Sequence, residues 1–210
     1  KIIPLKDSHL IVKGLNTILK EVGNNRFKFD PKAEDIHSNI QDLLTKKIGE
    51  VAHKLHTARS RNDQIVLDVK MYIKEEITIL VKLTAALQKS ILGFAKANSQ
   101  IIIPSYTHLQ LAQCVLLSHH MLAYIEGLER DKERILDAQK RTNHMPLGSC
   151  ALSGTGLLID REFVRKQLGF EKLTENSIDS VSDRDFIMEL LAALSILSVH
   201  LSRMAEDLIL

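Results

Sequence analysis

The sequence contains few of the residues that interrupt helices and few large aromatic side chains. Its 210 residues include no tryptophan, three tyrosines, six phenylalanines, four prolines and nine glycines. Alanine, leucine, isoleucine, glutamate and lysine dominate instead, and a chain of this length and composition can bury a substantial core. The composition predicts an all-α protein, and we find no alternation of apolar and polar residues that indicates a strand.

Cysteine is scarce. Cys114 and Cys150 are the two cysteines, and neither lies at a spacing typical of metal ligands. They are interpreted as reduced thiols of a cytosolic type of protein or as small apolar residues. We therefore expect no metal site and a cytoplasmic location.

A large excess of charge of either sign is also lacking. The 28 basic and 26 acidic residues leave a net charge of +2, with no basic run and no interleaving of basic and aromatic residues. We therefore expect no nucleic-acid partner. We find no segment with the length and apolarity of a membrane span and no signal peptide. The sequence begins at Lys1 and ends at Leu210 within an apolar helical pattern, so we expect a fragment truncated at both ends.

Apolar residues recur at helical spacing over most of the chain. The second helix is predicted to begin at Asp30 as N-cap with Pro31 in its first turn. We expect an incomplete N-terminal helical domain over residues 1–60 and an incomplete long-helix bundle over residues 61–210. The predicted helices cover residues 7–22, 30–48, 61–98, 109–141, 161–168 and from about 180 to the end, separated by irregular segments at 49–59 and 146–156.

One polar segment precedes the longest predicted helix. Ser60 is placed to cap this helix, and Asp63 completes a capping-box pattern. The structural interpretation is a helix cap and nothing more. The functional one is a carboxylate site, because Arg61 and Asn62 lie beside the unpaired N–H groups of the helix start.

A second polar segment precedes the next predicted helix. Thr107 and Gln110 form another capping-box pattern, and His108 lies between them. A histidine there is more often structural, although it has the chemistry of an acid or a base near neutral pH. Consecutive long helices run antiparallel, so His108 and Arg61 should lie at opposite ends of the bundle. If both act on one substrate, they must come from different subunits.

Other candidates are weaker. His53 and His56 are three residues apart but have no third metal ligand. Gly148, Gly154 and Gly156 match neither a dinucleotide fingerprint nor a P-loop, and we interpret them as a turn.

Several motifs resemble those of the argininosuccinate lyase family, within the fumarase/aspartase superfamily. The segment HTARSRNDQ at 56–64 is similar to the first signature of the family, and THLQLAQ at 107–113 is similar to the second. Further similar segments are PLGS at 146–149, AL at 151–152, GT at 154–155, NSID at 176–179 and VSDRDF at 181–186. The resemblance covers nearly the whole chain.

The resemblance implies a fold, an assembly and residue roles. It implies a homotetramer around a bundle of long helices, with active sites shared between subunits and no cofactor or metal. The implied reaction is the cleavage of argininosuccinate to arginine and fumarate. Implied substrate-binding residues are Ser60, Arg61, Asn62, Thr107, Asp35 and His37, and the implied catalytic residues are His108 and Thr107.

The sequence also departs from the family pattern. Gln41 replaces an expected glutamate, Cys114 an expected proline and Cys150 a small residue. The third family signature, a Gly-Ser-Ser loop that carries the serine base, does not occur in these 210 residues, so we expect this chain alone to be inactive. Two alternatives remain: a non-catalytic helical scaffold derived from a lyase, and a superfamily lyase that acts on another fumarate adduct.

Overall fold

The structure, a computed structural model, describes residues 2–209. Its N-terminal part contains helix α1 (Leu5–Gly23), helix α2 (Ile36–Ile48) and a 3₁₀ helix (Gly49–His56). Their apolar faces enclose a small core. Gly14 of α1 allows the close crossing, because a Cβ at this position would lie 2.6 Å from a methyl group of Leu44. The buried members of this core are Ile11, Ile18, Leu44 and Ala52.

The predicted start of the second helix is wrong. Helix α2 begins at Ile36 instead of Pro31, and its N-cap is Asp35, whose carboxylate accepts the backbone N–H of Ser38 at 2.8 Å. The buried side chain of Asn39 explains the difference. Its amide bonds both the N–H and the carbonyl of Asp30, at 2.7 and 3.3 Å, and so holds the preceding segment in a turn.

Three long helices form the main body: α3 (Arg61–Ala97), α4 (Leu117–Thr142) and α7 (Asp185–Ile209). Side-chain contacts between Gln88 and Glu129 and between Arg141 and Glu189 fit antiparallel neighbours. The 37 residues of α3 span about 55 Å. The buried apolar residues between the helices are Val66, Ile73, Ile77, Ile91, Ala95, Met121, Leu128, Ile135, Phe186, Ala193 and Leu197. The fold is helical, as predicted.

The segment between α3 and α4 corrects the prediction of a chain without strands. Strands β1 (Ile102–Thr107) and β2 (Gln110–Leu116) form an antiparallel hairpin, and α4 begins at Leu117 instead of Leu109. His108 and Leu109 form its two-residue turn with φ values of 51° and 61°, which match the twist of the strands. The apparent capping box around His108 is therefore a hairpin turn.

The connection from α4 to α7 contains only short helices and strands. It contains β3 (His144–Met145), α5 (Arg161–Gln167), β4 (Lys172–Leu173) and α6 (Ser177–Ser182), and β3 pairs with β4 in parallel. The predicted helix from Ser180 in fact begins at Asp185. Ser180 lies in α6, where its buried hydroxyl bonds those of Ser149 and Thr174. The expected continuation past Leu210 lies outside the described residues.

Helices α3 and α7 are each long and apolar enough, by length and composition, to cross a membrane. This corrects the statement from the sequence that no segment is. Core helices of soluble proteins meet the same criterion. Here both helices contribute to the buried cluster of the bundle, and α3 also buries Asp63 and Lys70.

Candidate active site

The N-terminus of α3 is capped as the sequence predicts. The Ser60 hydroxyl accepts the backbone N–H of Asn62 at 3.3 Å, and the carboxylate of Asp63 accepts the N–H of Ser60 at 3.0 Å. The capping box fixes the conformation of the backbone at the first turn of α3. The positive end of the helix dipole and the adjacent polar side chains can receive an anion.

Arg61 is held by the N-terminal part of the chain. Its guanidinium donates to Asp35 at 3.1 Å and reaches the Ser38 hydroxyl at 3.4 Å. The N–H of Ser38 and the guanidinium of Arg61 lower the pKa of Asp35 from its usual value. A guanidinium has five N–H donors, so these two contacts leave donors for a ligand while they fix the orientation of the side chain.

His37 also reaches α3. Its Nδ1 lies 2.9 Å from Nε2 of Gln64, and its Nε2 lies 3.7 Å from a carboxylate oxygen of Asp68. Burial raises the pKa of Asp68, while the charge of Arg59 opposes this rise. The structure thus brings Asp35, the N-cap of α2, and His37 to the same end of α3 as the segment Ser60–Asn62.

A chain of contacts behind this end connects Gln41, His56 and Arg59. Arg59 donates to Nδ1 of His56 at 3.0 Å, and Nε2 of His56 lies 2.9 Å from Oε1 of Gln41. Because Nδ1 accepts, the imidazole must be neutral with its proton on Nε2. Burial, together with the charge of Arg59, lowers the pKa of His56.

The loop after β3 contacts the same helix start. Asn62 donates through Nδ2 to the carbonyl of Ala151 at 2.8 Å, and the N–H groups of Gly148 and Cys150 donate to Asp63 at 2.9 and 2.8 Å. The loop is therefore more than the simple turn that the sequence predicts, because it borders the candidate site. Asp63, which the sequence predicts to be a helix cap alone, also bonds this loop.

Thr107 and His108 do not join this cluster within the chain. They lie at the exposed turn of the hairpin that follows the other end of α3. From Asn98 to His108 the backbone can reach at most about 36 Å, which leaves at least about 19 Å of the 55 Å helix between the Cα atoms of His108 and Arg61.

The sequence model of the lyase family matches residues 2–210. The chain belongs to the lyase family. It is 50% identical over 209 residues to an argininosuccinate lyase from Pelotomaculum thermopropionicum, with 100% of this chain and 45% of the relative covered. It is 52% identical over 203 residues to one from Moorella thermoacetica, with 97% of this chain and 44% of the relative covered. The chain spans less than half the length of these curated relatives.

Solved structures agree in fold with this chain. An EDDS lyase in complex with formate superposes with a TM-score of 0.87 at 26% identity, and the match covers 99% of this chain and 40% of that one. A variant of an EDDS lyase with bound fumarate gives a TM-score of 0.86 at 26% identity over 99% and 40% of the two chains. A fumarate lyase/delta crystallin from Brucella melitensis gives 0.83 at 18% identity over 98% and 50% of the two chains, and this match concerns the fold alone.

Proposed function

We propose that this lyase cleaves argininosuccinate into arginine and fumarate. The observation that carries the proposal is the cluster of Ser60, Arg61 and Asn62 at the capped start of α3, within a chain about half identical to proteins named argininosuccinate lyase. Directed donors around a helix N-terminus suit the carboxylates of such a substrate. Asp35 and His37 border the same space and complete the proposed substrate-binding group.

The proposed reaction is an elimination. A proton leaves the carbon beside a carboxylate, and the guanidinium nitrogen of arginine leaves the neighbouring carbon. The intermediate is an aci-carboxylate with additional negative charge. Fixed donors aimed at that charge lower the barrier by about 2.7–4 kcal/mol each. Ser60, Arg61 and Asn62 are the proposed donors, and the mechanism needs no metal or organic cofactor.

His108 is the proposed acid–base residue, and Thr107 is proposed to assist it by a hydrogen bond to the substrate. An imidazole exchanges protons efficiently near neutral pH. We propose that it protonates the departing nitrogen, either directly or by setting the protonation of neighbouring groups. The positive φ of His108 orients this residue at the turn, where its side chain is exposed.

The separation of His108 from Arg61 supports a site shared between subunits. At least about 19 Å lies between their Cα atoms in one chain, so their side chains cannot meet there. The hairpin also exposes apolar side chains, with Leu109 83% and Leu111 71% exposed, as a surface that packs on another copy of the chain would. We propose a cytoplasmic homotetramer in which the hairpin of one subunit completes the site of another.

Subunit mixing tests the shared site. Full-length Arg61→Ala and His108→Ala variants should each be inactive, and their mixture should regain activity because some hybrid sites contain neither substitution. Mixing must be followed independently, for example by native mass spectrometry of differently tagged subunits. If the subunits mix and activity does not return, the two residues do not act in one site.

Substrate identity is tested by fumarate release, followed at 240 nm with the full-length protein. Argininosuccinate should react, and adenylosuccinate and aspartate should not. The likeness to the EDDS lyases favours one second candidate, a lyase of the same superfamily that acts on another fumarate adduct. Reaction with EDDS but not with argininosuccinate would establish this alternative. No reaction with any adduct would support the non-catalytic scaffold.

A further inference from the structure

We propose that Asp63 is a positioning residue that clamps the Gly148–Cys150 segment onto the start of α3 and so shapes one wall of the substrate site. This proposal rests on the proposed function for its catalytic consequence. Its structural part concerns a contact between distant segments of the chain. The two segments are 85 residues apart in sequence.

The Asp63 carboxylate is fully buried, with 0% of the residue exposed. One oxygen accepts the backbone N–H of Ser60 at 3.0 Å, and the other accepts those of Gly148 at 2.9 Å and Cys150 at 2.8 Å. Within residues 2–209, no Lys, Arg or His side chain lies within ion-pair distance of this carboxylate. Three backbone donors therefore replace the water that the carboxylate loses on burial.

The loop is shaped for this acceptor. Gly148 has a φ of 98° and Cys150 a φ of 54°, and these values turn the N–H groups on either side of Ser149 towards one oxygen. Successive N–H groups that converge in this way form an anion-binding hollow. In this structure the anion is the carboxylate of the protein itself. A capping residue alone needs only the bond to Ser60, so the two bonds to the loop indicate a second role.

A second contact connects the clamp to a proposed substrate-binding side chain. Asn62 is adjacent to Asp63 and donates through Nδ2 to the carbonyl of Ala151, one residue after the clamped segment. This bond leaves the carbonyl oxygen of the Asn62 amide for a donor on a ligand, such as an ammonium or guanidinium group. If the loop moves, Asn62 loses the contact that fixes its orientation.

The clamp should act on the substrate donors and leave the acid–base group unchanged. Asn62 and Ser60 are proposed to hold the substrate and to stabilise the intermediate, whereas the proposed acid–base residue His108 lies on the hairpin of another subunit. In the full-length protein, Asp63→Asn should lower kcat/KM about tenfold and leave the pH dependence of kcat unchanged. An amide offers one acceptor oxygen, so at least one of the three N–H groups then faces an NH2 group. Asp160→Asn is the matched control: Asp160 caps α5 through a bond to Phe163 at 2.8 Å that asparagine can keep.

Thiol labelling tests the clamp without any substrate. Cys150 is partly buried and lies in the clamped segment, whereas Cys114 lies on the hairpin, outside the clamped segment, and serves as internal reference. Asp63→Asn should raise the limiting alkylation rate of Cys150 at high pH at least tenfold and leave the rate at Cys114 unchanged, as quantified by mass spectrometry. Burial and the charge of Asp63 raise the pKa of the Cys150 thiol, so a purely electrostatic effect would shift the midpoint of the rate profile without changing its limit.

The wild-type protein provides a measurement that needs no stable variant. The N–H groups of Gly148 and Cys150 should exchange with deuterium much more slowly than those of the exposed Leu152 and Ser153. Equal exchange rates, or an unchanged limiting rate at Cys150, would overturn the clamp. Slow exchange and faster labelling without any cleavage of argininosuccinate would support the clamp and refute the proposed function. Cleavage of argininosuccinate with an unchanged kcat/KM in Asp63→Asn would support the proposed function and refute the catalytic consequence of the clamp.

Discussion

The buried lysine of α3 forms an ion pair whose two partners should differ in importance for stability. Replacing the aspartate should lower the free energy of unfolding much more than replacing the lysine. Lys70 is 1% exposed, and its ammonium lies 3.3 Å from a carboxylate oxygen of Asp183 and 3.4 Å from the carbonyl of His144. It also lies 4.8 Å from the ring centroid of Phe186. The side chain of Asp183 remains 22% exposed. Loss of the aspartate charge leaves a buried cation without an anionic partner. Loss of the lysine leaves an anion that water can solvate.

The expected magnitudes follow from this asymmetry. Removal of one partner of a buried pair costs about 3–5 kcal/mol. Asp183→Asn should fall near the lower end, about 3 kcal/mol, because His144 and Phe186 still contact the ammonium. Lys70→Met keeps most of the volume and buries no charge, so it should cost about 1 kcal/mol. The double variant should also cost about 1 kcal/mol, well below the sum of about 4.

Thermal and urea unfolding followed by circular dichroism at 222 nm measure the three variants. In a chain of this size 1 kcal/mol shifts Tm by about 2–4 °C, so Asp183→Asn should lower Tm by about 6–12 °C. Additive costs within about 0.5 kcal/mol would mean that the two charges do not interact. A greater cost for Lys70→Met than for Asp183→Asn would refute the reasoning from burial.

Two further predictions concern the surroundings of the site. Folding lowers the pKa of His56 below 6.5, so the unfolded chain binds more protons between the two pKa values. The stability from this residue is full above pH 6.5 and falls as the pH drops towards the folded pKa. Gln41→Glu places a carboxylate at its Nε2 and should raise the pKa of His56, as followed by NMR titration of the ring protons. Gly148→Ala should cost about 2 kcal/mol in urea unfolding, because φ is 98° and the new Cβ would lie 2.9 Å from Arg161. Gly156→Ala, with nothing within 4 Å, should be nearly neutral; equal costs would contradict this explanation.

Local signals in the sequence were sufficient for the start of α3. Ser60 and Asp63 stand three residues apart before a long apolar pattern, and the capping box depends only on neighbouring residues. The capping-box rule failed at Thr107, and the N-cap rule for Asp-Pro failed at Asp30. At Thr107 the pattern Thr-x-x-Gln occurs in a hairpin turn, and at Asp30 the buried Asn39 outweighs the preference of Asp-Pro for a helix start. Propensity rules describe a segment in isolation, and these contacts come from outside it.

The role of the loop after β3 could not be derived from local pattern. Gly148 and Cys150 meet Asp63 only because α3 and α4 run antiparallel and return the chain to the start of α3. An aspartate at the third position of a helix is also common without such a partner. The sign available in the sequence was the density of small residues between Pro146 and Gly156, which permits positive φ but does not specify an acceptor.

The charges around the start of α3 indicate how this site can attract an anion. Arg59 and Arg61 are balanced by Asp35, Asp63 and Asp68, and the neutral His56 adds no charge. The cluster therefore carries no excess of positive charge, and a carboxylate is not drawn there by net charge. Attraction depends on donors that internal partners hold in fixed directions: the guanidinium on Asp35 and the helix N–H groups beside the capping box. Such donors lose little entropy when a ligand binds, which is the advantage of a preorganised site. Asp35 and Asp63 repel an anion electrostatically, and the same two residues hold in place the N–H groups that would bind it.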